Sequence, residues 1–215
     1  MPDHVGTAVT TAGKRARKSA WARRVEILAA AGQQFADTGY RGTDVQDIAD
    51  SLGVGKGTIY RFYPTKEALF LATVEAAVDE LREFVAGPVE DLDDPLDKIR
   101  TAVHRYLDFF DRHPHVVELF IQERAEFRQQ RLPIYFAQKA AEESDWFPVF
   151  HQLIAEGRMR SLDPQTVAET LGAMLYGAAV SHRLAGSEQP LAQRADEFLD
   201  VVLHGILDPN AAVSG

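Results

Sequence analysis

The chain has 215 residues, 46% of them apolar and 26% charged, with a formal net charge of −9 and no cysteine. That composition supports a sizeable core and excludes disulfides, thiolate metal sites and a cysteine nucleophile. The longest uncharged apolar run, residues 170–181, is shorter than the ~20 residues a bilayer span needs, and the N-terminus is polar and basic rather than an apolar signal segment. The expected address is therefore cytoplasmic, with no membrane partner.

The charge is unevenly placed. Residues 1–70 hold 10 Lys and Arg against 7 Asp and Glu, a net +3, whereas residues 71–215 hold 13 against 25, a net −12. A basic head on an acidic body is the asymmetry of a protein that meets a polyanion at one end.

In chain order, residues 1–20 lack apolar periodicity and read as a basic, disordered arm. It is either a solvated tail or an arm whose Lys14, Arg15, Arg17 and Lys18, with Arg23 and Arg24 beyond it, touch phosphates. From Trp21 the pattern turns helical. Val25, Leu28, Ala31 and Phe35 keep three-and-four spacing, and Gly39 stands where a left-handed C-cap is wanted. Thr43 reads as the N-cap of a second helix, with Gln46 completing a capping box; Val45, Ile48, Ala49 and Leu52 line its inner face and Gly53 stops it. A short helix over Lys56–Phe62 buries Ile59 and ends before Pro64. Thr65 then caps a long helix reaching the Gly87–Pro88 pair, read with the acidic stretch after it as a loop. Five further helices follow at roughly 95–112, 115–129, 133–157, 164–185 and 190–206, and no stretch alternates with period two. The fold class is all-α, about nine helices in total.

Two short helices joined by a tight glycine turn, packed on a third before them, form a helix-turn-helix (motif about 44–63). The second helix, entering a major groove by its N-terminal end, needs little bulk there, which suits Gly55 and Gly57. Lys56 adds a long cation, Thr58 a hydroxyl and a methyl, and Tyr60 a phenol that reaches a phosphate while its ring packs. Arg61 faces outward, either toward DNA or toward solvent.

The string "FADTGYRGTDVQDIADSLGVGKGTIYRFYPTKEALF" resembles the DNA-binding head of the TetR family of bacterial transcriptional regulators over about residues 21–80. The resemblance implies DNA contacts by Thr43, Lys56, Gly57, Thr58, Tyr60 and Lys66, with Thr43 and Lys66 binding phosphates from two helix starts. It departs from the family pattern at Phe62, where many members carry a phosphate-binding His, and at Tyr63, where Phe usually fills the core. It implies a helix-turn-helix domain over 21–66 and a helical regulatory and dimerisation domain over 67–209 that holds an inducer.

The last two helices are apolar over more than one stripe, with Gly172, Gly177 and Ala179 permitting close approach. A homodimer through about 164–185 and 190–206 would bury these faces, and its two-fold axis suits a palindromic operator. Tyr106, Phe110, Phe120, Phe127, Trp146, Phe150 and His151 are candidates for a pocket holding an apolar or aromatic effector, though helical spacing equally makes them core. Glu123 and Glu126 read as a solvated ladder with Arg124 and Arg128. His104, His113, His115 and Glu118 lack metal-ligand spacing, and no phosphate loop or GxSxG nucleophile is present. No metal, cofactor or catalytic residue is expected. The reading is a sequence-specific DNA-binding regulator, a repressor released from its operator by an inducer. The alternatives are a regulator without a small-molecule inducer, or a helical metal-binding protein or enzyme with a vestigial head.

Overall fold

In a computed structural model, which describes residues 8–129 and 132–204, the chain is built of helices joined by short turns, with no strand among the described residues. In order they are α1 (Ala8–Gly42), α2 (Val45–Ser51), α3 (Lys56–Phe62), α4 (Lys66–Glu90), α5 (Pro95–Arg112), α6 (His115–Phe127), α7 (Ile134–Glu142), α8 (Phe147–Ala155), α9 (Pro164–Leu184) and α10 (Ala195–His204). Two 3-10 segments, Glu143–Trp146 and Leu191–Arg194, precede α8 and α10. The first residues of the basic arm and the last turn expected of the final helix lie outside the described residues.

Several elements differ from the sequence expectation. The segment expected to be an irregular arm is helical from Ala8 and runs into α1, since it is rich in the helix formers Ala, Lys and Arg. The α1 axis breaks at Gly39, whose φ of 76° and ψ of 159° belong to a region that is essentially glycine's alone, costing other residues about 1–3 kcal/mol. Asp44, not Thr43, is the N-cap of α2, accepting from the Gln46 amide at 2.8 Å. Thr43 is unavailable for that role because it is 3% exposed, its hydroxyl donating to the Gly39 carbonyl at 2.8 Å. The long helix expected at 133–157 is interrupted by the 3-10 turn at Glu143–Trp146.

Helix α4 does not stop at Gly87–Pro88 but passes through Pro88 to Glu90. A proline in a helix leaves the carbonyl four residues earlier without its amide partner. Here that carbonyl is Phe84's, and the Arg105 Nε donates to it at 3.1 Å while the guanidinium lies 3.5 Å from the centre of the Phe84 ring. One arginine from α5 thus repairs the helix and ties it to its neighbour.

The core is continuous from head to body. In the head, Ile27, Ala31 and Phe35 of α1 meet Ile48, Ala49 and Ile59 of α2 and α3, all fully buried. In the body, α5 buries Val103, Leu107 and Phe109 against α4, α8 and α9. Between them Phe35, Tyr40, Phe70 and Phe127 gather from α1, α4 and α6, with adjacent ring centroids 5.0–6.1 Å apart.

Candidate nucleic-acid interface and effector cavity

Helices α2 and α3 are joined by the turn Leu52–Gly55, in which Gly53 takes a φ of 63°. Val54 plugs the turn, its amide donating to the Ala49 carbonyl at 3.0 Å. Ile59 anchors the buried face of α3, so Gly57 and Tyr60 turn outward, with Tyr60 37% exposed. Arg61 is exposed and Thr58 half-buried. A methyl placed on Gly55 or Gly57 would meet nothing within 4 Å. The protein itself therefore does not require a glycine there.

The two lysines expected to meet DNA are engaged within the chain. Lys56 Nζ pairs with Asp44 at 2.6 Å, a contact that lowers the Asp44 pKa after its Gln46 amide bond and raises that of Lys56. Lys66, at the start of α4 beside the capping Thr65, lies over the Tyr40 ring at 5.0 Å and donates to the Arg41 carbonyl at 3.2 Å. The buried Thr43 hydroxyl bridges to Thr38 at 2.7 Å and joins α1 to α2 from within. Of the residues expected at DNA, Gly57, Tyr60 and Arg61 lie on the exposed face of α3, whereas Thr43 is buried beneath it.

Helix α6 ties the body to this head. Arg41 Nε lies 3.0 Å from both carboxylate oxygens of Glu126, and Gln122 donates to the Phe35 carbonyl at 2.9 Å. Glu126 is thus an inter-element partner, and Glu123, 2% exposed, accepts from the Ile134 amide at 3.1 and 3.2 Å. Neither belongs to the solvated ladder suggested by charge spacing, because α6 is packed on two sides.

The body holds a partly open cavity of about 540 Å³ walled by α4, α5, α7, α8 and α9. Of the seven pocket candidates, Tyr106, Trp146 and Phe150 line it. Phe110 and Phe120 pack behind it against Tyr106 and Tyr135, at ring separations of 5.1 and 5.3 Å. Phe127 belongs to the head–body junction, and His151 is exposed on α8. The wall is mostly aliphatic, from Val78, Leu81, Val85 and Val103 to Leu171 and Leu175. Its polar groups include the Tyr106 and Tyr135 hydroxyls, 2.9 Å apart, and Gln138, whose Oε1 is buried without a partner among the described residues. Burial raises the Tyr106 pKa well above its ordinary value, so the phenol stays neutral. Gln138 and Lys139 were missed in the sequence, although their spacing of three and four from Tyr135 puts them on its helix face. Lys139 also runs across Gly172, where a methyl would collide with its chain.

A capped helix-turn-helix with an uncrowded N-terminal end on its second helix, joined through α4 and α6 to a helical body with a partly open cavity, is the architecture of a DNA-binding transcriptional regulator rather than an enzyme. Residues 27–73 match the family of bacterial regulatory proteins described as tetR family, and residues 92–206 match the tetracyclin repressor-like C-terminal domain. The chain belongs to the TetR family. The HTH-type transcriptional repressor KstR2 of Mycobacterium tuberculosis is 27% identical over 188 residues, 86% of this chain and 92% of its own. The HTH-type transcriptional activator FasR of Mycolicibacterium smegmatis is 34% identical over 89 residues, which span 41% of either chain. The solved structure of the M. tuberculosis ketosteroid transcriptional regulator KstR2 superposes with a TM-score of 0.65 at 25% identity, covering 86% of this chain and 95% of that one. FadR from Bacillus subtilis in complex with stearoyl-CoA shares the fold, with a TM-score of 0.72 at 17% identity over 85% of this chain and 99% of that one.

The open space at Gly57 allows stability and DNA binding to be tested separately. Replacing Gly57 with leucine, a good helix former, is expected to leave the melting temperature unchanged or raised. It should weaken operator binding at least tenfold, as read by a gel-shift titration beside a thermal melt.

Proposed function

We propose that the protein is a cytoplasmic repressor that binds a palindromic operator as a homodimer and is released when a predominantly apolar molecule fills the α4–α9 cavity. The observation that carries this reading is the course of α4. Its first residue, Lys66, belongs to the DNA-facing head, while Val78 to Glu90 near its other end wall the cavity. A ligand that tilts α4 shifts the recognition helices, whose separation in a dimer must match the groove repeat of ~34–36 Å. A preference of ~3 kcal/mol for the non-binding geometry is enough to weaken operator affinity over a hundredfold.

The proposed DNA contacts are Lys56, Gly57, Thr58, Tyr60, Arg61 and Lys66, with Thr43 acting beneath them as a positioning residue. Engagement of Lys56 with Asp44 does not oppose this, since solvent screens an exposed ion pair and a phosphate can replace the carboxylate. Lys56→Ala combined with Tyr60→Ala is expected to abolish gel-shift of a duplex selected from a random library. Unchanged binding and salt dependence would remove these residues from the contact set.

The dimer reading is supported by apolar surface that one chain leaves uncovered. Leu184 at the end of α9 is 70% exposed and Val201 of α10 is 44% exposed, while a methyl on Gly177 would meet nothing within 4 Å. Leu184→Asp with Val201→Asp should give a folded monomer in sedimentation and lose operator binding. A variant that sediments as the wild type sinks this interface.

The cavity lies within the 300–1,000 Å³ typical of ligand sites. A ligand N–H or O–H placed against Gln138 would satisfy its buried oxygen, so the effector class is an apolar body bearing at least one hydrogen-bond donor. Val103→Trp should fill the space, keep operator binding and abolish both the thermal shift and the release caused by any hit from a small-molecule screen. If wild-type protein binds DNA but no such molecule releases it, the effector reading fails and the regulator acts without an inducer.

A further inference from the structure

Six Lys and Arg side chains are described in the head between residues 20 and 70, and four have acceptors. Arg23 pairs with Glu26 at 2.8 Å, Arg41 with Glu126 at 3.0 Å and Lys56 with Asp44 at 2.6 Å, while Lys66 donates to the Arg41 carbonyl. Arg24 and Arg61 make no ion pair or hydrogen bond with the described residues. They are nevertheless not loose: both pack on one ring. The Arg24 guanidinium, from α1, lies 5.6 Å from the centre of Phe62, and that of Arg61, from α3, lies 5.4 Å from the same centre. Phe62 is half-buried at the last position of α3 and held by the core, whereas both arginines are exposed. Arg24 is also close enough to Tyr63 for its charge to oppose the upward shift that burial gives that phenol.

We infer that Arg24, Phe62 and Arg61 form a clamp for DNA backbone phosphates beside the groove that α3 reads. A ring that holds two guanidinium groups limits the rotamer freedom of both, so less is lost when their planar forks meet phosphate oxygens. Position selects backbone over bases. Seven residues of helix make α3 about 10 Å long, and the clamp stands at the end opposite Gly55 and Gly57. With the N-terminal end in the groove, the C-terminal end and the adjacent part of α1 lie over the flanking strand. The clamp therefore adds affinity that does not depend on sequence, and it does so from two elements at once, fixing how α1 and α3 seat together. Phe62 is a positioning residue; the two arginines are the contacts. The inference rests on α3 being the groove-reading helix.

The test is a salt titration of binding by the full chain to a selected duplex and to an unrelated duplex of equal length. Each phosphate contact contributes about 0.9 to the slope of log affinity against log salt, and a dimer loses two contacts per substitution. Arg24→Ala and Arg61→Ala should each lower the slope by about 2. Between 50 and 200 mM salt, each variant would then lose roughly tenfold less affinity than the wild type. Both should weaken the two duplexes by the same factor. Arg24→Lys should keep the slope, and Phe62→Ala, which leaves both charges in place, should weaken binding to both duplexes alike. A double variant, Arg24→Ala with Arg61→Ala, that keeps the wild-type slope overturns the clamp, as does a loss confined to the selected duplex, which marks a base contact. A lowered melting temperature with unchanged binding leaves the stack a structural one only and equally overturns it. Wild-type protein that binds neither duplex removes the DNA reading itself, an outcome distinct from all of these.

Discussion

The ring cluster of Phe35, Tyr40, Phe70 and Phe127 is the contact on which the rest of the molecule depends. It is where α1, α4 and α6 converge, with the Phe35–Phe70 edge contact at 5.0 Å and Tyr40–Phe127 at 5.1 Å. Edge-to-face aromatic pairs contribute about 0.5–1.5 kcal/mol each beyond their area. Their geometric effect is the larger one. Tyr40 follows the break at Gly39, so the ring that closes the cluster also carries the Lys66 ammonium on its face. Moving α6 or α4 against α1 therefore disturbs a packed cluster and the head end of α4 together, because interiors at crystal-like density do not deform smoothly.

Two polar links stand beside these rings, Arg41 to Glu126 and Gln122 to the Phe35 carbonyl. The ion pair is largely exposed on the arginine side, so it contributes little to stability. Its value is directional, since the Arg41 Nε is shared between two carboxylate oxygens and sets the register of α6 on α1. The far end of α4 has its own fixing point. Arg105 accepts the task left by Pro88, so the helix that spans head and cavity stays continuous through a residue that would otherwise break it. Continuity matters because a helix interrupted at Pro88 would uncouple the Val89–Glu90 part of the cavity wall from the rest.

The helix order and the turn were legible in the sequence because they rest on local chemistry: apolar spacing, Gly39 and Gly53 at positive φ, and Thr65 at its cap. The misreadings fall where a distant group decides. Thr43 and Asp44 are both good cap residues, and only the buried bond from Thr43 to Gly39 leaves the role to Asp44. Pro88 reads as a helix stop until Arg105 supplies the missing donor. Glu123 and Glu126 have ladder spacing, yet one is taken by the start of α7 and the other by Arg41. The aromatics of the body carry no label that separates wall from core. Phe127 and Phe150 look alike in the sequence, and only the packing sends one to the junction and the other to the cavity.

The same limit explains the head's electrostatics. A count of charges finds a modest excess of cations over residues 1–70, but the excess says nothing about which are committed. Lys56 and Lys66, the two lysines expected at DNA, are held by Asp44 and by Tyr40 with the Arg41 carbonyl, so in the proposed complex their transfer to phosphate would be an exchange of partners. Such exchanges lower the net gain per contact but also suppress adhesion to any passing polyanion. A guanidinium resting on a ring gives up far less when it turns to a phosphate. In the proposed complex, discrimination would then fall to the exposed residues of α3, whose groove contacts would have to repay the breaking of internal pairs and would do so only on a matching sequence.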